Sequence, residues 1–165
     1  CIRDSANIPF AGEFNNCFVT IGGSGATLGM VIFIAFFAKS AQLGALGKAS
    51  IVPAFFNINE PILFGMPVVY NPYTAIPFFL APMASMTIAY FAIDLHMVKP
   101  MIAQPAWPTP LGLSGFIGTA GDWRAIVLAF VCAFVAFLIW FPFIKFYDGK
   151  LYQDEQTKGA QEAAA

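Results

Sequence analysis

The chain has 165 residues, 59% of them hydrophobic and only 10% charged, with 19 Phe against 8 Lys and Arg together and a formal net charge of −1. Soluble domains carry roughly 25% charged residues, and a water-exposed surface on a chain of this size needs more polar side chains than these. The composition therefore points to a membrane, and it excludes the polycationic surface that grips nucleic acid.

The first 17 residues, with Pro9, Gly12, Asn15 and Asn16, read as loop and surface segment, and the opening Cys-Ile-Arg-Asp without an initiating Met reads as a piece of a longer protein. Phe18 to Ala38 is uncharged and long enough for a spanning helix, which needs about 20 residues at about 1.5 Å rise each. Its opening, TIGGSGATLGM, is soft. Gly22, Gly23, Gly25 and Gly29 permit close helix approach or a broken helix start, and the lack of a following Lys-Ser/Thr sets a phosphate loop aside. Lys39 and Lys48 bracket a mildly amphipathic stretch that either continues the helix or lies at the interface.

Ile51 to Pro77 is too apolar for a water-exposed loop, yet Pro53, Pro61, Pro67, Pro72 and Pro77 forbid one regular helix. Such backbone sits at membrane depth only where protein buries it or a cavity wets it, as in the half-helices of transporters, so a re-entrant segment is expected. Ile76 to Ile93 reads as a second span with a kink at Pro82, ended by Asp94, His96 and Lys99. A second broken segment runs from Pro100 to Gly121, rich in Pro and Gly. Asp122 is placed as a helix cap and Trp123 near the interface. Ala125 to Ile144 is an unbroken apolar run, the third span, with Pro142 in its last turn. The expected fold is thus an all-α membrane protein with three spans and two re-entrant segments. Residues 1–150 form the membrane unit and 151–165 a polar cytoplasmic tail, disordered toward its Ala-rich end. Lys39, Lys48, Lys145, Lys150 and Lys158 all fall on the cytoplasmic side in this arrangement, with Arg124 a minor exception outside.

An ionisable side chain within an apolar stretch is costly and usually functional. Glu60 is that residue, with Asn57 and Asn59 beside it to donate and accept hydrogen bonds to sugar hydroxyls, and Trp107, Tyr70 and Tyr73 to offer flat apolar faces. Singly, each aromatic also reads as an interface anchor, and Glu60 also reads as a strut that holds its loop. Cys1, Cys17 and Cys132 have neither CxxC spacing nor a His partner, so no metal site and no cofactor are expected.

The segment Asn57-Ile58-Asn59-Glu60-Pro61-Ile62-Leu63-Phe64-Gly65-Met66-Pro67 closely resembles the NxNEPIxFGxP signature of the EIIC components, the membrane sugar permeases of the bacterial phosphotransferase system (PTS). Asn71-Pro72, Ile76-Pro77 and Trp107-Pro108-Thr109-Pro110 followed by Gly115-Phe116 and Gly118 resemble the lactose, cellobiose and diacetylchitobiose branch. The resemblance covers essentially the whole chain but only the carboxy-terminal half of the family's usual protein. It implies a multi-pass protein of the bacterial inner membrane that takes up a disaccharide and releases it phosphorylated. The phosphoryl group comes from a cysteine of the cytoplasmic EIIB partner, charged through EIIA and HPr. It further implies a permease homodimer surrounded by lipid, with the activity of a protein-N(pi)-phosphohistidine–sugar phosphotransferase held by the full complex. Glu60 is then the catalytic residue, near the sugar 6-hydroxyl, and Asn57, Asn59, Tyr70, Trp107 and Thr109 join it in the substrate site. A sugar-facing histidine of the family lies upstream of this chain's start, so the chain alone is expected to be inactive.

Two rival readings use the same residues. An ion-coupled secondary sugar transporter would employ broken helices and a buried carboxylate. A structural membrane subunit would lose nothing on Glu60→Gln.

Overall fold

In the computed structural model, residues 14–66, 68 and 70–163 are described, and they form six α-helices and one π-helical turn. The expected surface segment lies outside the described residues as far as residue 13. Beyond that it is not a surface loop: Asn15–Val19 is the π-helical turn, with Asn16, Cys17, Phe18 and Val19 buried.

Phe18 to Ala38 does not form one span. Gly22, Gly23 and Gly25 take φ of 76°, 94° and 86°, and Ala26 follows at 51°, a left-handed run no α-helix contains. Helix α1 begins only at Leu28 and ends at Phe37, 10 residues or about 15 Å, half a hydrocarbon core. The chain then turns rather than continuing. Helix α2, Ala41–Phe55, starts afresh with Ser40 as its cap, whose side chain accepts the Leu43 N–H. Short α3, Glu60–Gly65, follows. Helix α4, Pro72–Asp94, opens four residues before the expected second span, because Asn71 caps it through the Tyr73 N–H and Pro72 suits its first turn. It passes through Pro77 and Pro82 without a break. Short α5, Leu113–Gly118, lies in the second broken segment. Helix α6, Trp123–Ala163, is 41 residues long and includes Pro142. It carries the third expected span and continues as helix to Ala163, into the Ala-rich end where disorder was expected.

Two helices, α4 and α6, are long and apolar enough to cross a membrane, and they pack along each other. Their contact is built from small side chains. Ala81, Ser85 and Ala89 on α4 and Ala129, Cys132 and Ala136 on α6 are buried at three- to four-residue spacing, which lets two backbones approach closely. Ser85 Oγ donates to the Cys132 carbonyl at 3.4 Å and Cys132 Sγ donates back to the Ser85 carbonyl at 3.7 Å. The outward faces carry the large apolar groups, among them Phe79, Met83 and Phe91 on α4 and Phe130, Phe134 and Leu138 on α6. Small inside and large apolar outside suits lipid, not water. Helix α1 packs on both α2 and α6. A Cβ on Gly29 would lie 2.7 Å from Phe137 Cβ, and one on Gly47 would lie 2.6 Å from the Ala35 backbone nitrogen, so both glycines mark close approaches.

The turn between α1 and α2 is held from the distal part of α6. Buried Asp148 accepts the backbone N–H of Lys39 and of Ser40 at 3.0 Å each. Glu155, two helical turns on, accepts the Ser40 hydroxyl at 2.6 Å and the N–H groups of Ala41 and Gln42 at 3.1 and 3.3 Å. With the Leu43 N–H on Ser40 Oγ, the orphan amides at the start of α2 are satisfied, mostly by carboxylates.

Asp122 caps α6 as expected, accepting the Arg124 N–H at 3.1 Å, and also binds the Lys99 N–H at 3.1 Å. Partial burial pushes its carboxyl up, but those two amides and the charges of Arg124 and Lys99 outweigh it and hold the group below its ordinary 3.8. A lowered folded value means the stabilisation is fully present above the unfolded pKa and is lost as pH falls through the folded one. Asp122→Ala is therefore expected to cost about 1 kcal/mol at neutral pH. The gap to wild type should close in acid, where the wild-type cap is itself protonated. Thermal melts in detergent across that range check this; a gap unchanged into strong acid would remove the carboxylate's charge from the account.

Candidate functional site: a clasp around Glu60

The last turn of α2 ends in Asn57, at φ 61°. Asn57 N–H bonds to Ala54 O at 3.1 Å and Ile58 N–H to Pro53 O at 3.0 Å, the bond pair of a Schellman ending, with asparagine where glycine usually sits because its side chain tolerates the left-handed region. That ending turns the buried Asn57 amide back into the protein. Its Oδ1 accepts the Gly22 N–H at 2.8 Å and its Nδ2 donates to the Thr109 carbonyl at 3.1 Å. One side chain thus ties the glycine loop of residues 20–27 and the Pro-rich loop before α5 to the end of α2.

Asn59, also buried, makes a second tie. Its Nδ2 donates to the Ser24 carbonyl at 2.7 Å and to Thr27 Oγ1 at 3.2 Å. A Cβ on Gly23 would come within 2.3 Å of Asn59 Cγ, so Gly23 is bare where that side chain passes. Fully buried Trp140 on α6 fixes the same loop from behind, its Nε1–H donating to the Gly25 carbonyl at 3.0 Å.

Glu60 is the first residue of α3, followed by Pro61. The Ile62 and Leu63 N–H groups close on the Asn59 carbonyl at 3.1 and 3.0 Å, so the backbone on both sides of Glu60 is fixed. The Glu60 side chain is exposed, and among the described residues no hydrogen bond engages its carboxylate. Thr109 is buried, and its hydroxyl donates within its own loop to the Ala106 carbonyl at 2.6 Å. Trp107, two residues earlier, is 49% exposed. Tyr70 lies in the link between α3 and α4 and is 92% exposed, while Tyr73 meets Phe146 at 5.0 Å between ring centroids.

Of the residues singled out from the sequence, the structure joins Asn57, Asn59 and Thr109 in one hydrogen-bonded unit. Glu60 projects from it and Trp107 lies on one of its loops. No hydrogen bond or ring contact among the described residues ties Tyr70 to that unit. Sequence reading took the glycines as marks of close helix approach or a broken helix start, and both occur, at Gly29 and before Leu28. It missed that Gly22, Gly23 and Gly25 lie in a loop the asparagines hold, and it missed Trp140 as well. Three glycines within four residues, Gly22, Gly23 and Gly25, were the signal for the first. The second carried none, since a Trp inside an apolar run looks like its neighbours. Chemically, the arrangement presents one carboxylate on rigid backbone, suited to orient a hydroxyl or accept its proton.

Residues 5–82 match the family described as Phosphotransferase system, EIIC. The chain is 43% identical over 141 residues to the PTS system cellobiose-specific EIIC component of Lactococcus lactis subsp. lactis, an alignment covering 86% of this chain and 28% of that protein. It is 37% identical over 158 residues to the lichenan permease IIC component of Bacillus subtilis, covering 94% of this chain and 35% of that one. Among solved structures it resembles the transporter ChbC, the IIC component from the N,N'-diacetylchitobiose-specific phosphotransferase system. The TM-score is 0.86 at 38% identity, over 90% of this chain and 34% of that one. The chain spans about a third of the length of these relatives. With the apolar outer faces of α4 and α6 and the Asn57-to-Pro67 block, these likenesses place it: the chain belongs to the EIIC family of phosphotransferase-system membrane permeases, in the lactose, cellobiose and chitobiose branch.

Proposed function

We propose that the chain is the substrate-handling part of an EIIC permease. The whole permease binds a disaccharide of the cellobiose, chitobiose or lactose type and carries it across the bacterial inner membrane while EIIB, recharged through EIIA and HPr, phosphorylates it. The observation that carries this reading is the exposed Glu60 carboxylate, without a hydrogen bond among the described residues, on a backbone locked by two buried asparagines. In this proposal Glu60 aligns and deprotonates the sugar hydroxyl, Trp107 and Tyr70 supply ring faces, and Asn57, Asn59 and Thr109 shape the walls. The broken segments around α3 and α5 act as re-entrant elements between spans of a multi-pass protein. Residues 1–150 form the membrane part and 151–165 a cytoplasmic extension, and the full permease works as a homodimer in lipid. The relatives' names support the disaccharide: one is cellobiose-specific and another belongs to a diacetylchitobiose system.

Uptake into membrane vesicles tests the reading. Full-length permease supplied with phosphorylated EIIB is expected to accumulate radiolabelled cellobiose, chitobiose or lactose as the sugar phosphate. Unmodified sugar driven by an ion gradient without EIIB would instead identify a secondary transporter, and exclusive transport of a monosaccharide would reject the disaccharide.

A further inference from the structure

A cavity of about 400 Å³ opens between α1 and α6. Phe33, Phe37, Phe137 and Phe141 form its walls, and Lys39, Lys145 and Asp148 close one end. The rings pack as a set: Phe33 meets Phe141 edge-on at 5.5 Å, and Phe37 stacks on Phe33 at 5.9 Å. Lys145 Nζ lies 5.7 Å from the Phe141 ring centroid.

Two lysines stand against one carboxylate at this end. Asp148 is buried and turned to the Lys39 and Ser40 backbone amides, while both lysines are exposed at the rim. Both end apolar runs, where hydrocarbon is expected to give way to headgroups. Lys39 follows the apolar helix α1, and Lys145 follows the apolar run that ends at Ile144. An apolar slot on the outer face of a membrane helix, with two cations at its headgroup end, matches one kind of occupant in both charge and polarity.

We propose that this groove is a binding site for an anionic phospholipid, its phosphate between Lys39 and Lys145 and one acyl chain along the four Phe rings. A juxtamembrane lysine adds about 1 kcal/mol of attraction to anionic lipid, or about fivefold in affinity. The lipid bridges α1 and α6, and so secures from outside the turn that Asp148 and Glu155 secure from inside.

The test is native mass spectrometry of the purified protein in detergent, titrated with phosphatidylglycerol and with phosphatidylcholine of the same acyl chains. Phosphatidylglycerol is expected to bind more tightly. Lys39→Gln and Lys145→Gln should each weaken it about fivefold and the double variant roughly 30-fold, with phosphatidylcholine unchanged. Lys48→Gln, outside the groove, should keep the preference, and a melting curve for each variant verifies that it is folded. Equal binding of the two lipids, or a double variant that keeps the preference, overturns the proposal. So does a photo-crosslinker at Phe37 that captures polypeptide, from the rest of the permease or a second copy, in place of lipid.

Discussion

Full-length permease carrying Glu60→Gln is expected to phosphorylate sugar roughly 10²–10⁴-fold more slowly than wild type, the usual loss when a positioned proton acceptor is removed, while reaching the membrane in normal amount. The contrast in magnitude makes the experiment decisive. A purely structural Glu60 would act as an acidic residue in the first turn of α3, where the helix field is worth typically 0.3–1 kcal/mol, less still in a helix of 6 residues. Gln keeps the size and the hydrogen-bonding oxygen, and no hydrogen bond among the described residues would be lost with the charge. Folding should scarcely notice the change, whereas a hydroxyl attacking phosphorus needs a group to take its proton, which Gln cannot do. The assay is sugar phosphorylation in vesicles supplied with phosphorylated EIIB, run beside a sugar-binding measurement. Wild-type phosphorylation would dismiss the chemical role; lost binding with normal expression would recast Glu60 as a recognition group.

How much of this was legible in the sequence differs from element to element. The two long helices were, because a run such as Ala125 to Ile144 has one reading at that length. The cap at Asn71 opened α4 four residues early, whereas the start of α6 came out close to expectation because a local cap, Asp122, signals it. The start of α1 did not. Hydropathy counts glycine as harmless, yet Gly22, Gly23 and Gly25 leave the helical region altogether, and the partners of their loop lie 35 residues away in the side chains of Asn57 and Asn59. The end of the chain was read only in part for a similar reason. Disorder was expected at its Ala-rich end, but the helix runs on to Ala163, and Asp148 and Glu155 on it recur two helical turns apart and serve as caps for another helix, a partnership no local pattern reveals. At the site, residue identity was readable and orientation was not. Asn57, Asn59 and Glu60 stand together in the sequence, but only the Schellman ending at Asn57 sends the asparagine amides inward and leaves the carboxylate outside.

That division of labour predicts a second large effect. Asn57→Ala should destabilise the permease severely, and Asn57→Gly somewhat less. Either change leaves the buried Gly22 N–H and the Thr109 carbonyl without the partners they have at 2.8 and 3.1 Å. An unmet buried group costs about 1–3 kcal/mol, so roughly 2–6 kcal/mol is expected from the pair. Alanine must also adopt the φ of 61° that Asn57 holds, which adds about 1 kcal/mol that glycine escapes. Asn57→Asp keeps the acceptor for Gly22 but faces the Thr109 carbonyl with another acceptor, so it should not rescue. Melting in detergent gives the order wild type, then Gly, then Ala. Sugar affinity, measured where each variant is still folded, should fall in the same order, because the loops that Asn57 joins carry Trp107 and flank Glu60. A side chain whose main duty was to touch the sugar would behave otherwise: Asn57→Gly would weaken binding and leave the melting temperature where it was.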